Sequence, residues 1–338
     1  MQAPTGRSRG PGGRRLGELS SAAMMLPPAR SRFPLPVAAR RAVRVVHADE
    51  IRGIDDFYER FAHEPLVVRG IWPPGHPARE LSLADVQAGL GSRPLDVWDT
   101  RRQDYLAVPL GAFFEAFARG SPADGSGWNI VDHHIVDTPL APFAAPPPFL
   151  RRNWFVGAPV SWDGMERSVV LTPAGRFSPL HLDSYGMQGW MALVAGRKTW
   201  EFLSPAETRA AWLGEERRFF DARTDDPARV PGLATATAYT ATLEAGELLF
   251  FPGGWAHQVD TDEASHGFGG SLLNEHQVEA HVRGWLWERE QGVAGDLDLR
   301  AALERMPAER VHTPGGRANL TAALRACAEW EARAGGAG

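Results

Sequence analysis

The stretch between residues 169 and 287 consists of short apolar runs separated by glycine, proline and aspartate. Runs of this length, bounded by turn-forming residues, are typical of antiparallel β-strands that close into a barrel or a sandwich. The sequence contains no repeat of the length that solenoid proteins use. This pattern therefore predicts an antiparallel β-barrel at the centre of the fold.

Helical patterns precede the predicted barrel. Apolar residues recur at helical spacing in residues 54–61, 81–90 and 110–117, and an apolar strand over residues 66–68 follows the first of these segments. Ser82 is suited to cap the second helix, because a serine side chain accepts hydrogen bonds from backbone amides of the first turn.

Two more helices are predicted after the barrel, over residues 297–306 and 320–333. Isolated helices of this length are marginal in water, so their apolar faces need a partner. That partner is either a second copy of the chain or the chain's own barrel.

Composition and the positions of glycine- and proline-rich segments divide the chain into four predicted regions. Residues 1–40 carry seven arginines and a single acidic residue among scattered glycine and proline, so they predict a disordered tail, or an over-extended start, that is dispensable for folding and chemistry. Residues 41–165 are predicted to form a mixed helix and strand extension, residues 166–290 the barrel, and residues 291–338 a helical segment.

Composition also excludes several classes of protein. The 36 lysine and arginine residues are balanced by 41 acidic residues, which leaves no positive field for a nucleic-acid backbone. No apolar run approaches the roughly 18 residues that span a bilayer, so no membrane association is predicted. Cys327 is the only cysteine, which excludes an internal disulfide and favours a cytoplasmic location.

The triplet His181-Leu182-Asp183 is a candidate pair of metal ligands. On an extended strand, residues i and i+2 project from the same face, so both side chains can reach one ion. The triplet His47-Ala48-Asp49 has the same pattern but no supporting segment downstream, and we interpret it as solvated.

A later segment supplies a third ligand. Residues 246–257 form a hydrophobic strand that ends in a Pro-Gly-Gly-Trp-Ala turn and delivers His257. Two histidines and one carboxylate, here with His181 and Asp183, make the facial triad of non-haem Fe(II) oxygenases, in which the remaining metal positions stay open. A co-substrate and O₂ need such open positions.

Lys198 is the only lysine in a chain whose other cationic side chains are all arginine. It lies inside an apolar strand one element beyond the His-x-Asp triplet. A compact ammonium group at the far end of a pocket is suited to pairing with the distal carboxylate of a dicarboxylic acid.

These three segments, residues 178–183, 190–200 and 252–257, resemble the JmjC-type, cupin-like 2-oxoglutarate oxygenases, most closely the lysyl-hydroxylase branch named for the phosphatidylserine receptor. The resemblance extends over residues 43–290. It implies a mainly β fold, a double-stranded β-helix with flanking helices.

By this resemblance His181, Asp183 and His257 are the catalytic iron ligands. Lys198 and Ser178 are implied as contacts to the distal carboxylate of 2-oxoglutarate. Asn274, in a late strand of the barrel, is implied as a further contact to the co-substrate.

The implied reaction hydroxylates an unactivated C–H bond, using Fe(II), 2-oxoglutarate and O₂ and releasing succinate and CO₂. The resemblance favours a protein or peptide side chain as the substrate, and a homodimer formed through the C-terminal helices. Two alternatives stay open: a small-molecule hydroxylase on the same core, and a metal-binding or scaffold protein without turnover.

Overall fold

The structure, a computed structural model, describes residues 30–92, 94–100, 102, 104–120, 127–156, 166–183, 186–293 and 299–335. These residues form the following β-strands: β1 (Ala39–Ala42), β2 (Arg44–His47), β3 (Leu66–Arg69), β4 (Leu95–Asp99), β5 (Asp104–Val108), β6 (Trp128–His134), β7 (Ser168–Thr172), β8 (Phe177–His181), β9 (Gln188–Leu203), β10 (Trp212–Leu213), β11 (Arg218–Phe219), β12 (Thr237–Glu244), β13 (Leu248–Phe251) and β14 (Ala256–Leu272). The α-helices are α1 (Ile54–Arg60), α2 (Leu83–Leu90), α3 (Leu110–Ala118), α4 (Pro205–Thr208), α5 (Val278–Glu290), α6 (Leu299–Glu304) and α7 (Pro314–Gly335).

The two long strands β9 and β14 are the centre of the barrel. They pair antiparallel along their whole lengths, from Gln188 opposite Leu272 to Leu203 opposite Ala256. Strand β9 pairs first with β13 and then with β12, and β14 pairs first with β8 and then with β7. Each long strand thus has one partner along its whole length and a different strand on its other side in each half. Its two halves therefore lie in facing sheets, as in a jelly roll. The predicted mainly β fold with flanking helices is confirmed.

The segment before the barrel extends the same sheet, which runs in the order β2-β3-β13-β9-β14-β7-β6-β4-β5. Helices α1, α2 and α3 occur where the apolar spacing predicts them. The predicted cap is confirmed: the Ser82 hydroxyl accepts a hydrogen bond from the Asp85 amide at 3.2 Å, and the Asp85 carboxylate accepts one from the Ser82 amide at 2.9 Å. This reciprocal pair uses backbone donors that the helix itself leaves free.

A large apolar cluster joins these N-terminal helices to the outer face of the barrel. Phe57 of α1 is fully buried and meets Phe250 of β13 edge to face, with ring centroids 4.9 Å apart. Burying one such side chain stabilises the fold by about 1.5–3 kcal/mol. The extension therefore shares its core with the barrel.

The C-terminal helices pack on the chain itself. Leu303 of α6 and Cys327 of α7 lie in one buried cluster with Val282 of α5, and Leu320 and Leu324 pack against that cluster. The apolar faces of α6 and α7 thus pack at least in part within one chain, and the homodimer stays a prediction. None of the described helices combines the length and apolarity that crossing a membrane requires.

The predicted tail differs from the structure at its C-terminal end. Residues 1–29 lie outside the described residues, but residues 30–40 pack on the barrel, and the prediction of a disordered tail is wrong there. Leu35 is 2% exposed, and β1 continues the segment as a parallel neighbour of β12. Residues 30–40 pack there because two buried carboxylates of the barrel take their partners from this segment.

Candidate metal centre

His181 and Asp183 stand at the end of β8, and His257 is the second residue of β14. The two histidines are paired directly across the strands, and their ring centroids are 4.3 Å apart. Oδ1 of Asp183 lies 3.8 Å from Nε2 of His181 and 3.7 Å from Nε2 of His257. One ligand atom from each residue lies within 4.8 Å of the other two, so the three predicted ligands are brought together in a geometry that fits one metal ion.

Backbone carbonyl groups orient both imidazoles. Nδ1 of His181 lies 2.7 Å from the Pro179 carbonyl oxygen, and Nδ1 of His257 lies 3.1 Å from that of Trp255. A carbonyl oxygen only accepts, so each Nδ1 carries the proton and donates. Each Nε2 lone pair is then free to bind a metal, which is the usual outer arrangement around metal-binding histidines.

The site is buried on one side and open on the other. The side chain of His257 is 3% exposed, whereas those of His181 and Asp183 are 43% and 30% exposed. Burial, reinforced by nearby His181, holds the pKa of His257 well below its ordinary value, which keeps this imidazole neutral and able to bind a metal. The side chains of His181 and Asp183 are thus accessible from outside the barrel.

Aromatic rings line the barrel interior beside His257. The rings of Trp200, Phe202 and Phe251 lie 5.3, 5.6 and 4.8 Å from its imidazole. Gly189 leaves room for this arrangement, because a Cβ atom there would meet the Phe251 ring at 2.4 Å and Asp183 Oδ2 at 3.3 Å. These contacts exclude water from one side of the centre.

Lys198 is 3% exposed and points into the barrel interior. Its Nζ donates a hydrogen bond to Oγ1 of Thr172 at 3.0 Å. Its neighbours across the strands, Leu243 and Thr261, carry no charge, and none of the described carboxylates forms an ion pair with it. Desolvation by burial therefore lowers the pKa of Lys198 to about 7.

Two further buried polar side chains lie in the same row as Thr172. Ser265 is its partner across the strands, and Asn129 comes opposite it because the neighbouring residues Ile130 and Leu171 are paired. Both are fully buried. Within the described part of the chain, neither the Ser265 hydroxyl nor either polar atom of the Asn129 amide has a hydrogen-bond partner. We call Asn129, Thr172, Lys198 and Ser265 the polar floor of the barrel.

Thr172 and Ser265 were not predicted from the sequence. Thr172 contacts Lys198 directly, and Ser265 is paired with Thr172 across β14 and β7. A serine or threonine in a β-rich segment carries no signal that separates a pocket position from an ordinary strand position, so only the register identifies them.

The other two predicted contacts differ in outcome. Ser178 is paired with Val259, whose other neighbour is Trp200, so it lies on the interior side between the metal centre and Lys198. Asn274 is fully committed to the protein: its amide nitrogen donates to the Tyr58 hydroxyl at 2.6 Å and to the Arg152 carbonyl at 3.1 Å, and its oxygen accepts from the His276 amide. The structure does not bring Asn274 to the polar floor.

The first His-x-Asp triplet behaves as the sequence predicts. Its side chains are solvated, with His47 53% and Asp49 91% exposed, and its two groups lie 3.2 Å apart. Among the described residues, the group at His181 is the one set of three that can hold a metal ion.

The fold combines a jelly-roll barrel with a candidate His-Asp-His metal centre. Residues 139–283, which include all three ligands and Lys198, match the family described as the cupin-like domain. Over this region the chain is similar to the cupin-like domain family.

Three curated relatives show the breadth of the similarity. The zebrafish histone lysine demethylase PHF8 is 22% identical over 232 residues, which cover 64% of this chain and 21% of the relative. The Arabidopsis thaliana arginine-specific demethylase JMJ20 is 28% identical over 124 residues, which cover 36% of this chain and 26% of the relative. The human 2-oxoglutarate and iron-dependent oxygenase JMJD4 is 31% identical over 119 residues, which cover 32% of this chain and 28% of the relative. The chain thus spans about a quarter of the length of these relatives.

Proposed function

We propose that this chain is an Fe(II)- and 2-oxoglutarate-dependent oxygenase that hydroxylates an unactivated C–H bond. The observation that carries the proposal is the pairing of two features inside one barrel: an open His-Asp-His centre, and a buried lysine without a carboxylate partner among the described residues. A metal ion would bind at the His-Asp-His centre, and a dicarboxylate would pair with the lysine.

The residues fit the iron. A 2-His-1-carboxylate set with open positions is the ligand set of non-haem Fe(II) oxygenases. His181, Asp183 and His257 would hold the ion, and the carbonyl groups of Pro179 and Trp255 keep both Nε2 atoms available. Bound Fe(II), with 2-oxoglutarate and O₂, would supply the oxidising power for the hydroxylation, and succinate and CO₂ are the accompanying products.

The residues also fit the co-substrate. Lys198 would pair with the distal carboxylate of 2-oxoglutarate, and Thr172 holds the ammonium group in place. The unpartnered donors of Asn129 and Ser265 would bind the remaining carboxylate lone pairs, which removes the cost of leaving buried polar groups unsatisfied. The aromatic rings beside His257 keep water away from the metal end of the site.

We propose a protein or peptide side chain as the substrate. The exposed edges of His181 and Asp183 support it, since a side chain that projects from a larger molecule can reach the centre from that side. The names of the relatives agree, because two of them are a histone lysine demethylase and an arginine-specific demethylase. The cytoplasmic location stays a prediction.

Succinate formation tests the proposal. The full chain, supplied with Fe(II), ascorbate and O₂, should convert 2-oxoglutarate to succinate slowly even without substrate. His181→Ala should abolish this turnover, because it removes one of three protein ligands. His47→Ala is the matched control, since it removes the histidine of the solvated triplet, and it should leave turnover unchanged. Metal binding by the wild-type chain without any succinate would instead support the scaffold alternative.

A further inference from the structure

Two carboxylates are buried on the outer face of β9 and β14, the two long strands of the barrel. Glu201 of β9 and Asp260 of β14 have side chains with no exposed area. Side chains alternate along a strand, so Asp260 points away from the interior, while Val259 and Thr261 point inward. Charges in such places are tolerated only when they are paired and hydrogen-bonded.

Residues 31–40, which we call the N-terminal strap, supply most of their partners. Asp260 accepts hydrogen bonds from the Ser31 hydroxyl and from the backbone amide and Nε of Arg32, the last two at 2.9 and 2.7 Å. Glu201 accepts from the Leu35 amide at 2.9 Å and from Nε of Arg40 at 2.8 Å.

The strap also binds the third strand of the site. The Arg32 guanidinium donates to the carbonyl groups of Gly175 and Arg176, at 3.2 and 2.9 Å, just before β8 begins. The Phe33 ring packs edge to face on Phe177, the first residue of β8, at 5.0 Å.

Gln258 connects the strap to the residue beside a metal ligand. Its Nε2 donates to the Phe33 carbonyl at 2.7 Å and to Glu201 at 2.7 Å. His257 is the preceding residue, and its side chain points to the opposite face of the same strand. The backbone of β14 at His257 is thus held from behind by the strap.

We propose that the N-terminal strap is a positioning element of the metal centre. It fastens β8, β9 and β14 to one another from the outer face, and these strands carry His181, Lys198 and His257. Displacing the strap leaves two buried carboxylates without their cations, and the strands then shift to hydrate them. The distance between the ligands changes with that shift, so metal affinity depends on a segment that touches no metal ligand.

The inference rests on the proposed metal centre, so the test uses Co(II) alone, without co-substrate. The full chain is titrated with Co(II) under anaerobic conditions, and both the Kd and the visible absorption spectrum of the bound ion are recorded below the melting temperature of each variant. Arg32→Ala and Arg40→Ala should each weaken Co(II) binding by about tenfold, the lower end of the effect of losing outer partners of a metal site. The absorption bands should shift as well, because the ligand geometry changes.

Two variants act as controls. Arg41→Ala removes an exposed arginine next to Arg40 and should leave both the Kd and the spectrum unchanged. Arg32→Lys keeps a positive charge beside Asp260 but loses the planar guanidinium group that reaches two carbonyl groups. Its Kd for Co(II) should therefore fall between those of the wild type and Arg32→Ala. If the alanine variants do not fold, Arg32→Lys and Ser31→Ala provide the same comparison.

The outcomes separate the two proposals. Wild-type Kd and spectrum in folded Arg32→Ala and Arg40→Ala, whatever their melting temperatures, would show that the strap only stabilises the fold and would overturn the positioning role while leaving the metal centre intact. A wild-type chain that binds no Co(II) would overturn the metal centre and the strap's role together.

Discussion

The buried lysine makes co-substrate binding dependent on pH. Lys198 has no anionic partner among the described residues, and burial lowers its pKa to about 7 in the absence of a ligand. Only the protonated form can pair with a carboxylate. Raising the pH from 7 to 9 therefore removes the form of the protein that binds 2-oxoglutarate, without disturbing the fully ionised dicarboxylate itself.

The size of the effect follows from the protonated fraction. A group with a pKa near 7 is about half protonated at pH 7 and about one hundredth protonated at pH 9, so the apparent Kd for 2-oxoglutarate should rise roughly fiftyfold over this range. At about 1.4 kcal/mol for each tenfold change in proton affinity, the fall from 10.5 to about 7 corresponds to a desolvation cost on the order of 5 kcal/mol for the charged lysine. Binding a carboxylate offsets that cost and raises the pKa again.

Calorimetry of the full chain with Mn(II) in place of Fe(II) measures both quantities. Titrations with 2-oxoglutarate at pH 8, in two buffers of different ionisation enthalpy, should show uptake of nearly one proton for each molecule bound. 2-Oxopentanoate is the matched control ligand, because it keeps the keto acid and replaces the distal carboxylate with a methyl group. Its Kd should not follow the protonation of Lys198, and any effect of hydroxide at the metal appears equally in both series.

The sign of the stability effect gives an independent check. The folded lysine loses its proton near pH 7 and the unfolded lysine near pH 10.5, so the unfolded state binds more protons between these values and the metal-free protein should become more stable as the pH rises through this window. Lys198→Met should remove this dependence. A 2-oxoglutarate Kd that stays constant from pH 7 to 9, with no proton uptake, would refute the reasoning about Lys198.

Three further predictions concern the scaffold. A chain that begins at residue 30 should keep the stability of the full chain in urea denaturation. A chain that begins at residue 43 should lose at least about 3 kcal/mol, because Asp260 and Glu201 stay buried without their cations. Equal stability of the two truncated chains would contradict the role of residues 30–42. Gly189→Ala should lower Co(II) affinity by about tenfold, since the new Cβ displaces the Phe251 ring beside the ligands, and an unchanged Kd would show that the ring yields freely. Leu320→Asp should lower the melting temperature and leave the mass in light scattering unchanged, because Leu320 packs on helices of its own chain; a dimer mass that this substitution halves would support the predicted homodimer.

Several features of this protein follow from local chain geometry, which is why the sequence alone was sufficient for them. Two side chains at i and i+2 share a face of any strand, so His181 and Asp183 are predicted as a pair wherever that strand lies. Helical spacing predicts α1, α2 and α3 in the same way, because the apolar period is a property of the helix itself. Lys198 stands out because its neighbours in sequence are apolar and it is the only lysine.

Tertiary structure decided the features that depend on distant segments. Asn129, Thr172 and Ser265 form the polar floor only because β6, β7 and β14 pair in one register, and register is set by burial of one face of each strand. Asn274 lies two residues beyond the end of β14 rather than in a barrel strand, and its amide is used by Tyr58 and Arg152 from other segments.

The N-terminal strap is the clearest case of the second kind. Its composition, rich in arginine and proline, predicts disorder, because such a segment buries little apolar area. Distant segments order it instead: Asp260 and Glu201, more than 150 positions away in the sequence, are buried and need cations, and Leu35 lies in a buried apolar cluster of the barrel. The sequence by itself determined the candidate ligands and helices α1, α2 and α3, since these depend on neighbouring residues. The floor of the pocket and the docking of the strap depend on which buried groups the fold leaves in need of a partner, and only the tertiary structure decides that.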